Sequence, residues 1–297
     1  MAAYATLLFE LAGIDGSDKT QRRHLSTAGG QAIGTFLAAA CVKEVRRTQR
    51  FCRALFKAVA AAVASRPGRP VHVIYAGTGP FAALALPTMR QFPAEELQFT
   101  LLEVNPGSLG KLRHVIQALG LEPYVRRAEL CDATTWRVPD EAVDVVISET
   151  MNQALQREPQ AGIMLNLARQ LGDSVVFIPE AVEVRLAWQR RPGSPTEDLV
   201  GLLNFDREER ARIVDRTPPG SEWIFTPVIW DYRPRTPGTL VYTTFVRVFE
   251  DETLSHNECS LNLPERVSSR LPKKAARLRF QYRSSTVAGF EIRIEDI

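Results

Sequence analysis

Between residues 71 and 179 the sequence alternates short, almost wholly apolar runs with helical stretches opened by glycine or proline, and this alternation constrains the fold more than any other feature. VHVIY (71–75), LQFTLLEV (97–104), YVRRAELCDA (124–133), VDVVISE (143–149) and SVVFIP (174–179) read as five strands. Between them, AGTGPFAALALPTMRQF (76–92), NPGSLGKLRHVIQALG (105–120) and AGIMLNLARQL (161–171) read as turns feeding helices. Strands that are apolar along their whole length, rather than at every second residue, belong to a parallel sheet covered on both faces. The expected core is therefore a doubly wound, Rossmann-like α/β domain.

The flanks differ. Residues 1–30 mix the apolar run Tyr4–Leu11 with glycines and charges and read as a helix or docked arm followed by a loop. From Ala32 to Ala64 no proline interrupts a strong helix-forming stretch, long enough for two helices, and SRPGRP (65–70) stops it. After Pro179 the texture becomes β-rich: VEVRLAW (182–188), EWIFTPVIW (222–230), TLVYTTFVRVF (239–249), ARLRFQYR (276–283) and GFEIRIEDI (289–297), separated by proline and glycine turns, with no long helical pattern beyond about Arg212. The reading is three regions: an N-terminal helical lid or arm (1–66), the α/β domain (67–180) and an antiparallel, β-barrel-like domain (181–297).

Composition narrows the classes. Hydrophobic residues are 45% and charged residues 24%, which excludes global disorder. No run of 18 apolar residues occurs and no signal-peptide pattern opens the chain, so no membrane partner and a cytoplasmic location are expected. A net charge of +3 argues no nucleic-acid partner. The cysteines (Cys41, Cys52, Cys131, Cys259) and histidines are dispersed, so neither a metal site nor a disulfide framework is expected.

The chemistry-bearing residues cluster at strand ends. Ala76, Gly77, Thr78 and Gly79 form a turn directly after the first strand, where glycines let backbone and ligand approach closely. Pro80 and Ala82 break the GxGxxG pattern and no phosphate-loop Lys-Ser or Lys-Thr follows. Glu103 stands 24 residues past Gly79, at the end of the second strand, where a carboxylate can accept both hydroxyls of a ribose. Asp132, with Glu129 as its competitor, follows the third strand and could accept from an adenine amino group. Glu149 and Glu158 lie nine residues apart after the fourth strand; two carboxylates can clamp a planar guanidinium and orient one nitrogen. Residues 18–53 hold eight Lys or Arg against Asp18 and Glu44, which reads equally as a solvated basic face.

Together, AGTGP, LLEVNP, LCDA and VDVVISE resemble the class I S-adenosyl-L-methionine-dependent methyltransferase fold over about residues 40–180. ISETMNQALQRE is similar to the double-glutamate loop of protein arginine methyltransferases, and KEVRRTQRF to that family's segment with an acid, Arg-Thr and an aromatic. The resemblance implies S-adenosyl-L-methionine as cofactor. It gives the glycine turn (Ala76, Gly77, Thr78, Gly79) to the methionine part, Glu103 to the ribose, Asp132 to adenine, Arg47 to the methionine carboxylate and Glu149 and Glu158 to the acceptor. Val73 and Tyr75 depart from the family pattern, as do the absence of its N-terminal aromatic signature and of its Thr-His-Trp element. His256, in LSHNECSLNLP, lies in the half of the chain where that element falls in the family, in different surroundings, and is the third catalytic candidate beside Glu149 and Glu158. Abundant alanine and arginine suit a GC-rich bacterial genome, which favours a small-molecule or peptide acceptor. Three outcomes stay open: N-methylation of a guanidino or amino group; O-methylation of a hydroxyl or carboxylate with His256 or Tyr232 as base; or a methyltransferase-like binding subunit. A homodimer is the assembly considered.

Overall fold

The computed structural model describes residues 2–65, 68–268 and 271–295. The turn residues 66–67, at the expected first domain boundary, and residues 296–297 of the last expected strand lie outside the described residues.

Helix α1 (Ala2–Leu11) opens the chain, and a hairpin of β1 (Leu25–Thr27) and β2 (Gly30–Ala32) follows it. The long helical stretch is two helices, α2 (Thr35–Ala40) and α3 (Val45–Ser65), joined by a 3-10 turn over Cys41–Lys43. α3 buries Arg47, Thr48, Phe51, Ala54, Leu55, Ala58 and Val59. These recur every three or four residues and so form one face, which packs on the sheet.

The parallel sheet contains β3 (Val71–Ala76), β4 (Leu97–Glu103), β5 (Val125–Leu130), β6 (Val145–Ser148) and β7 (Val176–Ile178), in the order β5-β4-β3-β6-β7. Every residue of β3 and β6 is buried, as the uniformly apolar sequences require; β5, at one edge, carries its arginines outward. The chain order reverses between β3 and β6, and the C-terminal strand ends beside that switch are where such sheets place ligands.

The helix expected after the glycine turn is a correction. Only Leu86–Met89 (α4) is helical; residues 79–85 are turns, because Ala82 sits at φ 48° and cannot continue a right-handed helix. By contrast α5 (Pro106–Ala118) starts where expected, with Asn105 capping the amides of Gly107 and Ser108 and Pro106 in the first turn. α6 (Gln160–Gln170) covers the sheet between β6 and β7.

Beyond β7 the chain forms two antiparallel sheets. One holds β8 (Ala181–Gln189), β9 (Thr196–Phe205), β11 (Thr239–Phe249), β12 (Glu252–Leu254) and β13 (Glu265–Arg266); the other holds β10 (Val228–Tyr232), β14 (Ala276–Arg283) and β15 (Gly289–Glu295). They enclose a second core around Leu186, Trp188, Leu240, Tyr242, Leu278 and Phe280. β9 and the helix α7 (Arg207–Arg216) are absent from the sequence reading, and β10 begins six residues later than the run at 222 suggested. β9 is amphipathic and polar at its start, so it lacks the continuous apolar signal of the inner strands.

Candidate functional site

One cavity, about 1030 Å³ counting its open mouth, lies over the C-terminal ends of β3, β4, β5 and β6. Gly77, Thr78 and Gly79 form its floor, Glu103 and Asp132 stand on one side, and Arg47, Glu149 and Glu158 stand on the other. Thus eight of the ten sequence-predicted site residues meet in one space. Ala76 is fully buried as the last residue of β3, paired with Leu102 and Ser148, and does not line the cavity. His256 is exposed in the turn after β12 and does not line the cavity. Its neighbour Glu258 pairs instead with Arg46 on the outside of α3.

The glycines have separable reasons. Gly77 and Gly79 have φ of 75° and 61°, a region that disfavours other residues. A Cβ on Gly77 would also lie 2.1 Å from Thr150 Cγ2, so this glycine is required by the chain's own packing.

Glu103 is buried, and backbone amides already hold both its oxygens: Asn105 donates to Oε1 at 2.8 Å and Gly79 to Oε2 at 2.7 Å. Burial raises the pKa of this carboxyl, and those hydrogen bonds oppose the rise. An ionised carboxylate has about four acceptor positions; Thr78 Oγ1 takes a third at 3.5 Å from Oε2, the longest of the three and the one a hydroxyl ligand can replace. Asp132 Oδ1 accepts from the amide and hydroxyl of Thr134, and Oδ2 from the amide of Ala28 at 3.3 Å. Its rival Glu129 accepts from Trp136 Nε1 and does not line the cavity.

At the other side, Arg47 and Glu149 form a buried ion pair, each side chain 8% exposed. Arg47 Nε and Glu149 Oε1 remain buried without a hydrogen-bond partner. Burial pushes the Glu149 carboxyl up to about 6 against the pull of the Arg47 guanidinium. Glu158 is pushed up to about 7 by burial and by the neighbouring Glu149 charge. The segment that resembles the arginine methyltransferase pattern is used as a unit: Arg47, Thr48 and Phe51 are buried on one face of α3, and Glu44 accepts from the amide of Ser260.

The loop from Glu149 to Glu158 is unusual in its backbone. Ala154, Leu155 and Arg157 all have positive φ, 53°, 54° and 69°. Each costs about 1–2 kcal/mol in a non-glycine residue, so distant contacts must hold the loop. Tyr282 donates its hydroxyl to Leu155 O at 2.6 Å, the Ala154 amide donates to Thr244 Oγ1 at 2.9 Å, and the Arg157 amide donates to Ala288 O at 2.8 Å. A second network lies at its start. Gln160 Oε1 accepts from the Thr150 amide and hydroxyl, both at 2.9 Å, and from Ser148 Oγ at 3.3 Å; Nε2 donates to Ser148 O at 3.1 Å. Sequence reasoning missed Thr150, Gln160, Thr244 and Tyr282, since polar residues scattered over 130 positions carry no local signal.

The N-terminal segment roofs the cavity. Thr27, Ile33, Ala38 and Cys41 line it. The Gln31 amide donates to Arg157 O at 2.6 Å, and Thr35 and Ser108 share a hydroxyl hydrogen bond of 2.9 Å. Gly30 (φ 151°) would bring a Cβ within 2.6–2.8 Å of the Arg157–Pro159 backbone, and Gly34 would do so at Arg22. These glycines allow close contact with the loop and with the arm. Among the described residues no cluster of three or more His, Cys, Asp or Glu could hold a metal, and no helix is long and apolar enough to cross a membrane.

No protein-family model matches this sequence, and no curated protein does. Solved structures do. A chain of the Trypanosoma brucei PRMT1 enzyme–prozyme heterotetrameric complex with AdoHcy aligns over 86% of this chain and 95% of its own, at 11% identity and a TM-score of 0.52. Arabidopsis thaliana protein arginine methyltransferase 10, solved in a uniquely open conformation, aligns over 88% of this chain and 97% of its own, at 12% identity and a TM-score of 0.57. At these identities the likeness is one of fold: a Rossmann-like parallel core followed by antiparallel sheets, as in these two structures.

Proposed function

We propose that this chain is an S-adenosyl-L-methionine-dependent methyltransferase that methylates a guanidino or amino nitrogen of a small molecule or peptide. The observation that carries this reading is the meeting of Arg47, Glu103, Asp132, Glu149 and Glu158 around one glycine-floored cavity at the sheet's switch point. The residues fit the cofactor: Arg47 has a buried Nε without a partner, suited to a carboxylate, and Glu103 can accept from a diol once the long contact from Thr78 is given up. When bound, the cofactor supplies an electrophilic methyl on a sulfonium.

The chain's own residues then bind and orient the acceptor. Glu149 and Glu158 grip a guanidinium through paired hydrogen bonds and hold its charge away from the reacting nitrogen. Glu158, with its carboxyl near neutrality, takes the proton that the nitrogen loses. Residues 1–66 act as the roof, 67–180 hold the cofactor, and 181–297 hold the acceptor loop. Oxygen methylation loses its two candidate bases: His256 is exposed outside the cavity, and Tyr232 is buried in the second core. One observation favours a binding subunit as the second reading, because Glu149 already has Arg47 on one oxygen.

Calorimetric titration with S-adenosylhomocysteine is the test. Micromolar binding, followed by labelled methyl transfer to arginine, guanidines or peptides, supports the enzyme. Binding without transfer to any of these supports the subunit, and absence of binding rejects both.

A further inference from the structure

Resting on that reading of Glu149 and Glu158, we infer that Gln160 is the positioning residue of the carboxylate pair. The side chain is 1% exposed, and its amide bonds the two residues that flank Glu149: Ser148 through carbonyl and hydroxyl, Thr150 through amide and hydroxyl. Its own backbone lies two residues past Glu158, at the first position of α6. One buried side chain therefore ties both ends of the loop together, so the separation of the two carboxyls follows from its amide plane. The link continues to the cavity floor, because Thr150 Cγ2 occupies the space over Gly77.

The anchors from the C-terminal sheets grip the loop from Ala154 to Arg157 and do not reach its start. At the Glu149 end the Arg47 ion pair holds the carboxylate itself, while Gln160 holds the residues on both sides of it. A carboxamide suits this task because it accepts and donates in one plane, which neither a carboxylate nor an apolar side chain of the same length does. Removing it takes this partner from the half-buried Thr150 amide and from the carbonyl of the buried Ser148, and the loop start must open to water to satisfy them. The groups facing the pair are Arg47, Glu44 and Cys41 from the α2–α3 segment, Tyr75 from β3 and Cys259 from the segment after β12, so the carboxyl titrations report its placement.

The test needs neither cofactor nor acceptor. Protein labelled with carbon-13 at the glutamate carboxyls is titrated by NMR, with Glu149→Gln and Glu158→Gln assigning the two signals. In the wild type both midpoints should lie above the ordinary glutamate range. Gln160→Met should bring at least one of them down by about one unit, and Thr150→Val should move it the same way by less. A Gln160→Met protein that melts earlier but keeps wild-type midpoints overturns the inference, as do ordinary midpoints in the wild type. If Gln160→Met does not fold, Thr150→Val decides alone. Failure of the methyltransferase reading would show separately, as absent S-adenosylhomocysteine binding by the wild type.

Discussion

The two ends of the cavity are built on opposite plans. At the end with Glu103 and Asp132, the shorter hydrogen bonds to each carboxylate come from its own turn or the turn beside it, Gly79 and Asn105 for Glu103 and Thr134 for Asp132, and the long-range one, from the Ala28 amide to Asp132, is 3.3 Å. Each oxygen of both carboxylates therefore has a backbone partner before any ligand arrives. At the end with Glu149 and Glu158, a charge is balanced by Arg47 from a distant part of the chain, two polar atoms lack partners, and the loop depends on strands up to 127 residues away. The first end is preorganised by local backbone. The second is assembled from three parts of the chain and rests in a state that a ligand must rearrange.

The sharpest way to break this contrast is Glu149→Gln. Labelled transfer to the best guanidine acceptor should fall by more than about 100-fold. The ligand-free protein should also lose about 3 kcal/mol of stability, because Arg47 is left as a buried charge without its partner. Added S-adenosylhomocysteine should restore much of that loss, since its carboxylate can take the vacated place. Chemical denaturation with and without ligand measures both; equal losses in the two conditions would mean that Arg47 does not reach the ligand.

Next in size is Arg47→Met, which removes the cation and keeps the apolar stem. S-adenosylhomocysteine affinity should drop about 30-fold, the worth of a charge-assisted hydrogen bond in a closed site. Unchanged calorimetric affinity would make the α3 pattern purely structural. Glu103→Gln should cost less, about tenfold, because one oxygen can still accept while the new amide group opposes a backbone N–H. A larger loss than for Arg47→Met would reverse the ranking of the two ends.

The same contrast explains what was legible in the sequence. Glu103, Asp132 and the glycine turn could be found because each follows a strand that announces itself by continuous apolar residues. Glu149 and Glu158 could be found by spacing, but not their surroundings. The Arg47–Glu149 pair links positions about a hundred residues apart, and neither helix periodicity nor strand alternation encodes such a partner. The hairpin over Leu25–Ala32 was illegible for another reason: its strands have three residues each, and Gly30 serves contact with the loop backbone rather than a repeating pattern. The short α4 shows the limit of propensity itself. Alanine and leucine dominate that stretch, yet Ala82 is left-handed and helical geometry begins only at Leu86.

The smallest expected effect concerns pH, and it separates the two ends by a titration in the ligand-free protein. Glu158 ionises near 7 and Glu149 near 6 in the folded chain, against an ordinary value of 4.5 when unfolded. Between these values the folded chain holds protons that the unfolded chain has released. Raising the pH from about 4.5 to 7 therefore lowers stability through this pair, and the effect levels off above the folded values. Glu158→Gln removes the larger share, so its melting temperature should gain on the wild type as pH rises from 5 to 7.5, by about 3 °C. The same substitution in Glu103, whose pKa is raised by burial but opposed by two backbone amides, should change the slope less. Parallel melting curves for wild type and Glu158→Gln would mean that the acceptor end is as relaxed as the cofactor end, and the contrast between them would fail.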